Sequence, residues 1–266
     1  MHIRHTVQST TMCTVTFLPH PKGVLLTSSR DEHLQRGIAT PPAIYSGDAG
    51  PLLYPKDAKA GGSWFVINHE GTTGILLNGA FTAHVQQPPY CISRGLLLIE
   101  LFNQLDVSQH IQPRLFDGIE PFTLILWEHS NLLEYRWNGT ELYIKQLPTH
   151  KPHIWSSATL YNASMQQERE VWFEEWYQKH SSFSAEKILH FHTHTQAANK
   201  EYGIRMQRSN GIQSASITTA HIQPDAIQII HRDLQMQIDY VLETALPVST
   251  ILSNGHQYDA PSLSAN

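Results

Sequence analysis

Met12-Cys13 opens an alternating stretch that is followed, seventeen residues after the cysteine, by Arg30-Asp31-Glu32. A cysteine directly after a methionine can become the first residue of a mature chain. It then carries a thiol nucleophile and a free α-amine on one residue, and an amine of reference pKa about 7.7–8.0 can take the thiol proton during attack. Eleven residues precede Met12, so this chemistry requires either that translation starts at Met12 or that residues 1–12 are removed. If Cys13 stays internal the amine base is lost, and thiol chemistry needs a nearby histidine such as His20 or His33.

The residues around Cys13 can be placed by elementary rules. Residues 13–18 (CTVTFL) and 23–29 (GVLLTSS) flank a His20-Pro21-Lys22-Gly23 turn, which predicts a hairpin. Its arms are of similar length, so Cys13 falls near residues 29–31. Arg30 could favour the thiolate, since a nearby cation lowers a cysteine pKa from about 8.5. Asp31 could hold the α-amine in line with the sulfur. Adjacent strand residues point to opposite faces, so both can face Cys13 only if the strand ends or bulges there. Ser28-Ser29 and Glu32-His33 predict such an end. The competing reading is a surface turn of solvated charges.

Further along, Asn78 ends an apolar run beside Gly79, where its amide could donate to a developing oxyanion or simply make a turn. Arg208, with Arg205 as the competing choice, could orient Cys13 or bind a substrate carboxylate; otherwise it is a surface arginine beside Asn210-Gly211. Trp64 could line a pocket, although a strand tryptophan is more often core. Cys91, after Pro88-Pro89 and before a helix, is expected to pack. His190, His192 and His194 are spaced by two, which scatters them over different helix faces, and HExxH is absent, so no metal is expected. No Gly-rich phosphate loop or serine nucleophile elbow occurs, and no cofactor is expected.

The elements that must position these residues run as strands, helix, strands, two helices, strands. Residues 33–62 read as loop, rich in proline and glycine. SWFVINH (63–69) and TTGILLNG (72–79) form a second hairpin, and 93–105 a helix. Strands are predicted at 122–129, 131–139 and 141–147, the last pair joined at Asn138-Gly139, and one more at 153–157. Helices are predicted at 164–180 and 184–194, each opened by a serine in capping position. The end returns to strands at 211–223, 225–234 and 236–242. This order predicts an α+β fold of two packed antiparallel sheets flanked by helices.

MCTVTFLPHPKGVLLTSSRDE, followed by AGGSWFVINHEGTTGILLNGAF, resembles the opening of the NRDE family, also called the transport-and-Golgi-organisation family. Its members start Met-Cys, show Asn-Arg-Asp-Glu about seventeen residues later, then a Gly-Gly-Thr-Trp segment and a Thr-Asn strand end. Here the corresponding residues are Ser29-Arg30-Asp31-Glu32, Gly61-Gly62-Ser63-Trp64 and Leu77-Asn78. The family's leading Asn is thus Ser29 and its Thr is Leu77. Gln207-Arg208-Ser209-Asn210 before a β run resembles an Arg that precedes a strand in related proteins. The match is specific over roughly residues 12–82. The family is similar to N-terminal nucleophile hydrolases of the bile-salt-hydrolase and penicillin-V-acylase kind. That implies an αββα sandwich and cleavage of a non-peptide amide bond through a thioester, with Cys13, Arg30, Asp31, Asn78 and Arg208 as the catalytic set. In those hydrolases Arg and Asp are separated by two residues, whereas here they are adjacent, so which of them takes which role stays open. The resemblance also implies an alternative: a non-catalytic binding or trafficking protein of the same fold, linked to haem handling.

Composition sets the outer limits. With 41% hydrophobic residues, six Trp, ten Tyr and nine Phe, the 266-residue chain is globular. A net charge of −5, with Lys and Arg scattered singly, argues against nucleic-acid and anionic-membrane partners. Two cysteines build no disulfide framework. Residues 1–12 lack the apolar core of a secretory signal, and no run approaches the ~18 residues of a membrane span, so a cytoplasmic protein is expected. The chain is divided as an extension or leader at 1–12, one domain at 13–253 and a polar tail at 254–266. The expected partner is a small-molecule amide; no oligomeric state follows from the sequence.

Overall fold

The computed structural model describes residues 12–247, so the expected leader (apart from Met12), the last residues of the expected domain and the tail lie outside the described residues. β1 (Met12–His20) and β2 (Gly23–His33) form the first hairpin, with Cys13 directly opposite Arg30. Gly23, at φ +132°, permits the turn: a Cβ there would lie 1.9 Å from the Ile222 carbonyl oxygen. β2 does not end at Ser29 as expected. It stays paired through His33 because β11 (Ile212–Ile222) runs antiparallel beside it along its whole length.

The stretch 33–62 is not a plain loop. It contains β3 (Thr40–Tyr45) and β4 (Leu52–Lys56), which add two strands to a seven-stranded antiparallel sheet. Pro41-Pro42 masked β3, but that strand lies at the sheet edge and its register slips between Thr40 and Ala43, where missing N–H donors cost little. The sheet continues, in spatial order, with β5 (Phe65–Asn68), β6 (Thr73–Asn78), β7 (Phe122–Glu128), β8 (Asn131–Trp137) and β9 (Leu142–Leu147), all near their expected places. The second sheet has six strands in the order β10-β1-β2-β11-β12-β13, where β10 is His153–Ser156, β12 Ala226–Asp233 and β13 Ile238–Ala245.

Four α-helices complete the layers: α1 (Arg94–Phe102), the short α2 (Val107–His110), α3 (Ala163–Gln178) and α4 (Ala185–His194). Ser93 caps α1 and Ser184 caps α4, but α3 is capped by Asn162 rather than Ser164.

Apolar burial explains the stacking. Alternation along β1 sends Cys13, Val15 and Phe17 to one face, where they meet Phe65, Ile67, Ile75 and Leu77 of the other sheet. The opposite face of the seven-stranded sheet buries Val66, Leu76 and Leu124 under Leu97, Leu98 and Leu101 of α1. The opposite face of the six-stranded sheet buries Leu18, Leu25 and Ile217 under Phe173 of α3 and Ile188 and Phe191 of α4. The result is helix, sheet, sheet, helix: the expected αββα sandwich. Among the described residues no helix is long and apolar enough to cross a membrane.

Candidate active site

Cys13 lies on the inner face of β1 and lines a cavity of about 670 Å³ together with Arg30, Asp57, Trp64 and Asn78. The first turn of α1 closes one side, with Gly62 and Gly95 in contact: a Cβ on Gly62 would stand 2.6 Å from the Gly95 carbonyl carbon. Cys13 is only 2% exposed, and burial, with the Asp31 carboxyl adding to it, pushes its thiol pKa up to about 12. Inside the chain, this cysteine is therefore a thiol and not a thiolate at neutral pH.

Arg30 shares the face of Cys13 because the two are cross-strand partners. Its guanidinium is fully buried, lies 4.9 Å over the Trp64 ring, and donates from Nη2 to Asp57 (2.8 Å) and Glu32 (3.3 Å). Among the described residues its Nε and Nη1 have no hydrogen-bond partner. Asp57 holds this corner: Oδ1 accepts from the N–H groups of Lys59 and Ala60, while Oδ2 accepts from Arg30 and Arg36. Burial pushes the Asp57 carboxyl up, but the Ala60 N–H and the two guanidiniums outweigh it and hold its pKa below the usual value.

Asn78 ends β6 as expected, and Gly79 at φ +78° turns the chain away. A residue not singled out in the sequence joins it to Cys13. Ser157 donates its Oγ–H to the Asn78 carbonyl (2.8 Å) and its N–H to the Cys13 carbonyl (3.0 Å). The N–H and C=O of one strand residue point to the same side. The Cys13 nitrogen therefore faces the connector between β10 and α3, which also carries Tyr161.

Asp31 does not share the face of Cys13. With β2 unbroken, alternation turns it to the outer face, where it is buried and accepts from Ser214 Oγ (2.5 Å) and Tyr161 Oη (3.1 Å). The bulge sits in β11 instead, between Ser214 and Ser216, and aligns Ser214 with Asp31. Burial raises the Asp31 pKa, opposed by Ser214, by the Arg169 charge and by Tyr161. Arg169 lies 3.8 Å over the Tyr161 ring and donates to Thr14 Oγ1 (2.7 Å). Arg208 joins this outer group: its guanidinium lies 5.9 Å from the Tyr161 ring, and its Nε donates to the Glu201 carbonyl (2.7 Å). Neither Arg208 nor Arg205 lines the cavity of Cys13.

Other expectations change as well. Cys91 does not pack inside; it is exposed at the rim of the same cavity, because the proline-rich stretch before it runs over the surface. No histidine lines this cavity among the described residues. His20 lies at the far end of β1, roughly 23 Å along the strand from Cys13 at about 3.3 Å per residue. His192 is buried between α4 and the sheet, bonded to Thr16 and Ser29, while His190 and His194 stack with ring centroids 4.2 Å apart. Trp64 both lines the cavity and packs in the core. Asp57, Ser157 and Tyr161 escaped sequence reasoning; the only local signal was an Asp four residues before a Gly-Gly pair.

Two solved structures share this architecture. The N-acylethanolamine-hydrolyzing acid amidase ortholog of Caenorhabditis elegans matches with TM-score 0.54 and 9% identity, over 78% of this chain and 92% of that one. A mutant of the conjugated bile acid hydrolase of Clostridium perfringens matches with TM-score 0.53 and 8% identity, over 96% and 99%. At these identities the likeness is one of fold. Two stacked antiparallel sheets between helices are the fold that this chain shares with those two proteins. The sequence matches the transport and Golgi organisation 2 family over residues 12–239, and the chain belongs to that family. No curated protein matches it in sequence.

Proposed function

We propose that the protein is an N-terminal-cysteine hydrolase of a small non-peptide amide. The observation that carries this reading is the meeting of Cys13, Arg30 and Asn78 on one cavity of about 670 Å³, within the 300–1,000 Å³ typical of small-molecule sites. The family match also opens at residue 12, immediately before the cysteine.

With Cys13 as the first residue, its nitrogen becomes an amine on the side of the β10–α3 connector. The amine takes the thiol proton as sulfur attacks the carbonyl carbon. The side-chain amide of Asn78 holds the oxyanion, and collapse expels the amine product with the proton returned from the α-ammonium. Water then hydrolyses the thioester. Arg30 favours the thiolate from the same face. Asp31, which register places opposite residue 12, holds the ammonium with Tyr161 behind it. Arg208 acts at one remove, through its charge on Asp31. A buried thiol with its pKa at about 12 needs this new positive charge to become a nucleophile.

The test compares three proteins on a panel of N-acyl amides: the 266-residue chain, a version whose mature form begins at Cys13 (checked by intact mass), and the latter with Cys13→Ser. Hydrolysis by the second alone, with an acyl adduct on Cys13, is the expected result. Equal turnover by the Cys13→Ser protein, or none by a folded Cys13-first protein on any amide, overturns the reading.

A further inference from the structure

A second cavity, of about 350 Å³, opens on the opposite side of the six-stranded sheet, between the segment 200–207, the start of β11 and the β12–β13 turn. It is lined by two cationic residues, Lys200 and Arg205, with Gln207, Gln213 and Gln235, and among the described residues no aspartate or glutamate lines it. Asp233, at the neighbouring turn, is buried and already accepts from the N–H groups of Gln235 and Met236.

Arg205 is unusual in this molecule. Arg30, Arg36, Arg94, Arg136, Arg208 and Arg232 each pair with a carboxylate, and Arg169 is bonded to Thr14. Among the described arginines only Arg205 and the exposed Arg114 have a guanidinium with no hydrogen bond, ion pair or ring contact. Yet Arg205 is half-buried and its backbone is held, because its neighbours Ile204 and Met206 are both core residues. The Lys200 backbone is pinned too, its carbonyl accepting from the Gln207 N–H at 3.0 Å, and Gln207 bridges Gln213. Two cationic residues lining one small concavity, with no carboxylate among its lining residues, are the composition that suits an acceptor-rich anion.

We propose that this cavity binds a compact anion, a small organic phosphate or polycarboxylate, held by Arg205 and Lys200. The site shares its wall with the group that holds Asp31. Ser214 Oγ accepts from the Met206 N–H (3.0 Å) and donates to Asp31 (2.5 Å), while Tyr161 Oη, the other donor to Asp31, lies 3.1 Å from the Met206 sulfur. An occupant that tightens Arg205-Met206 is therefore felt at Asp31. That consequence for Cys13 rests on the hydrolase reading; the binding itself does not.

The binding is tested by thermal unfolding of the full chain in inorganic phosphate, and separately in citrate, against sodium chloride of equal ionic strength. A ligand at ten times its Kd raises the Tm of a chain this size by about 3 °C. The wild type and Arg114→Gln should show the rise, and Arg205→Lys should keep most of it. Lys200→Gln/Arg205→Gln should lose it, leaving only the general effect of a kosmotropic anion. A rise confined to phosphate assigns a phosphoryl ligand, and one confined to citrate a carboxylate. The same rise in the double variant, or no rise above chloride in either salt, overturns the site.

Discussion

Cys13 and Arg30 stand directly opposite one another on β1 and β2, both nearly sealed from solvent, while Asp31, one residue further on, lies on the other side of the sheet. The Arg-Asp pair is thus divided between two environments. Arg30 belongs to the cavity and Asp31 to a buried cluster of Ser214, Tyr161 and Arg169.

The two cysteines should react in opposite ways in the full-length chain. Cys91 is exposed, whereas Cys13 is buried with its pKa pushed to about 12. Iodoacetamide at pH 7.5 should label Cys91 within minutes and leave Cys13 untouched until the protein is unfolded, as peptide mass mapping will show. Rapid labelling of both in the native chain contradicts the buried environment.

Tyr161→Phe removes one of the two side-chain donors to Asp31. That hydrogen bond lowers the Asp31 pKa, so its loss moves the pKa up. In the Cys13-first protein the acid limb of kcat/KM should shift to higher pH, with KM on the plateau little changed. Loss of the bond should cost about 1 kcal/mol of stability by urea titration. An unmoved acid limb denies Asp31 a part in the reaction.

His192 should make the fold acid-sensitive. Burial, with the Arg169 charge beside it, depresses its pKa to about 3, and burial takes His231 to about 4. The unfolded histidines bind protons near pH 6.5, so the unfolded state gains protons first as pH falls. Stability is full above about 6.5 and lost downward through that window, at up to about 1.4 kcal/mol per pH unit for each histidine. Urea midpoints between pH 7.5 and 4.5 measure the slope. His192→Asn, which does not titrate, should flatten it, and an unchanged slope would assign the acid sensitivity elsewhere.

Gly62→Ala should loosen α1 from the sheet. The new Cβ meets Gly95 backbone at 2.6 Å and the Leu96 nitrogen at 2.8 Å, atoms that cannot rotate away. A loss of about 1–3 kcal/mol is expected from such overpacking, read as a fall in Tm. A Tm within a degree of wild type means that the helix shifts freely.

Much of this architecture was legible in the residues themselves. The two-residue alternation of CTVTFL, the Asn138-Gly139 turn and the serine before residue 94 are local signals, and local backbone preference suffices to produce a hairpin, a register and a helix start. The position of Cys13 near residues 29–31 followed from arm length alone, and Asn78 ended its strand as its glycine neighbour indicated. Tertiary structure decided the rest. Whether β2 stops at Ser29 or runs to His33 depends on β11, about 180 residues away, and that pairing sends Arg30 inward and Asp31 outward. The strand hidden behind Pro41-Pro42 exists because the edge of a sheet tolerates absent donors. Asp57, Ser157 and Tyr161 reach the site across 27, 144 and 130 residues of separation from their partners Arg30, Cys13 and Asp31. Side-chain alternation is a property of the chain, but the end of a strand and the far partners of a buried charge are set by contacts that form only when the two sheets close on each other.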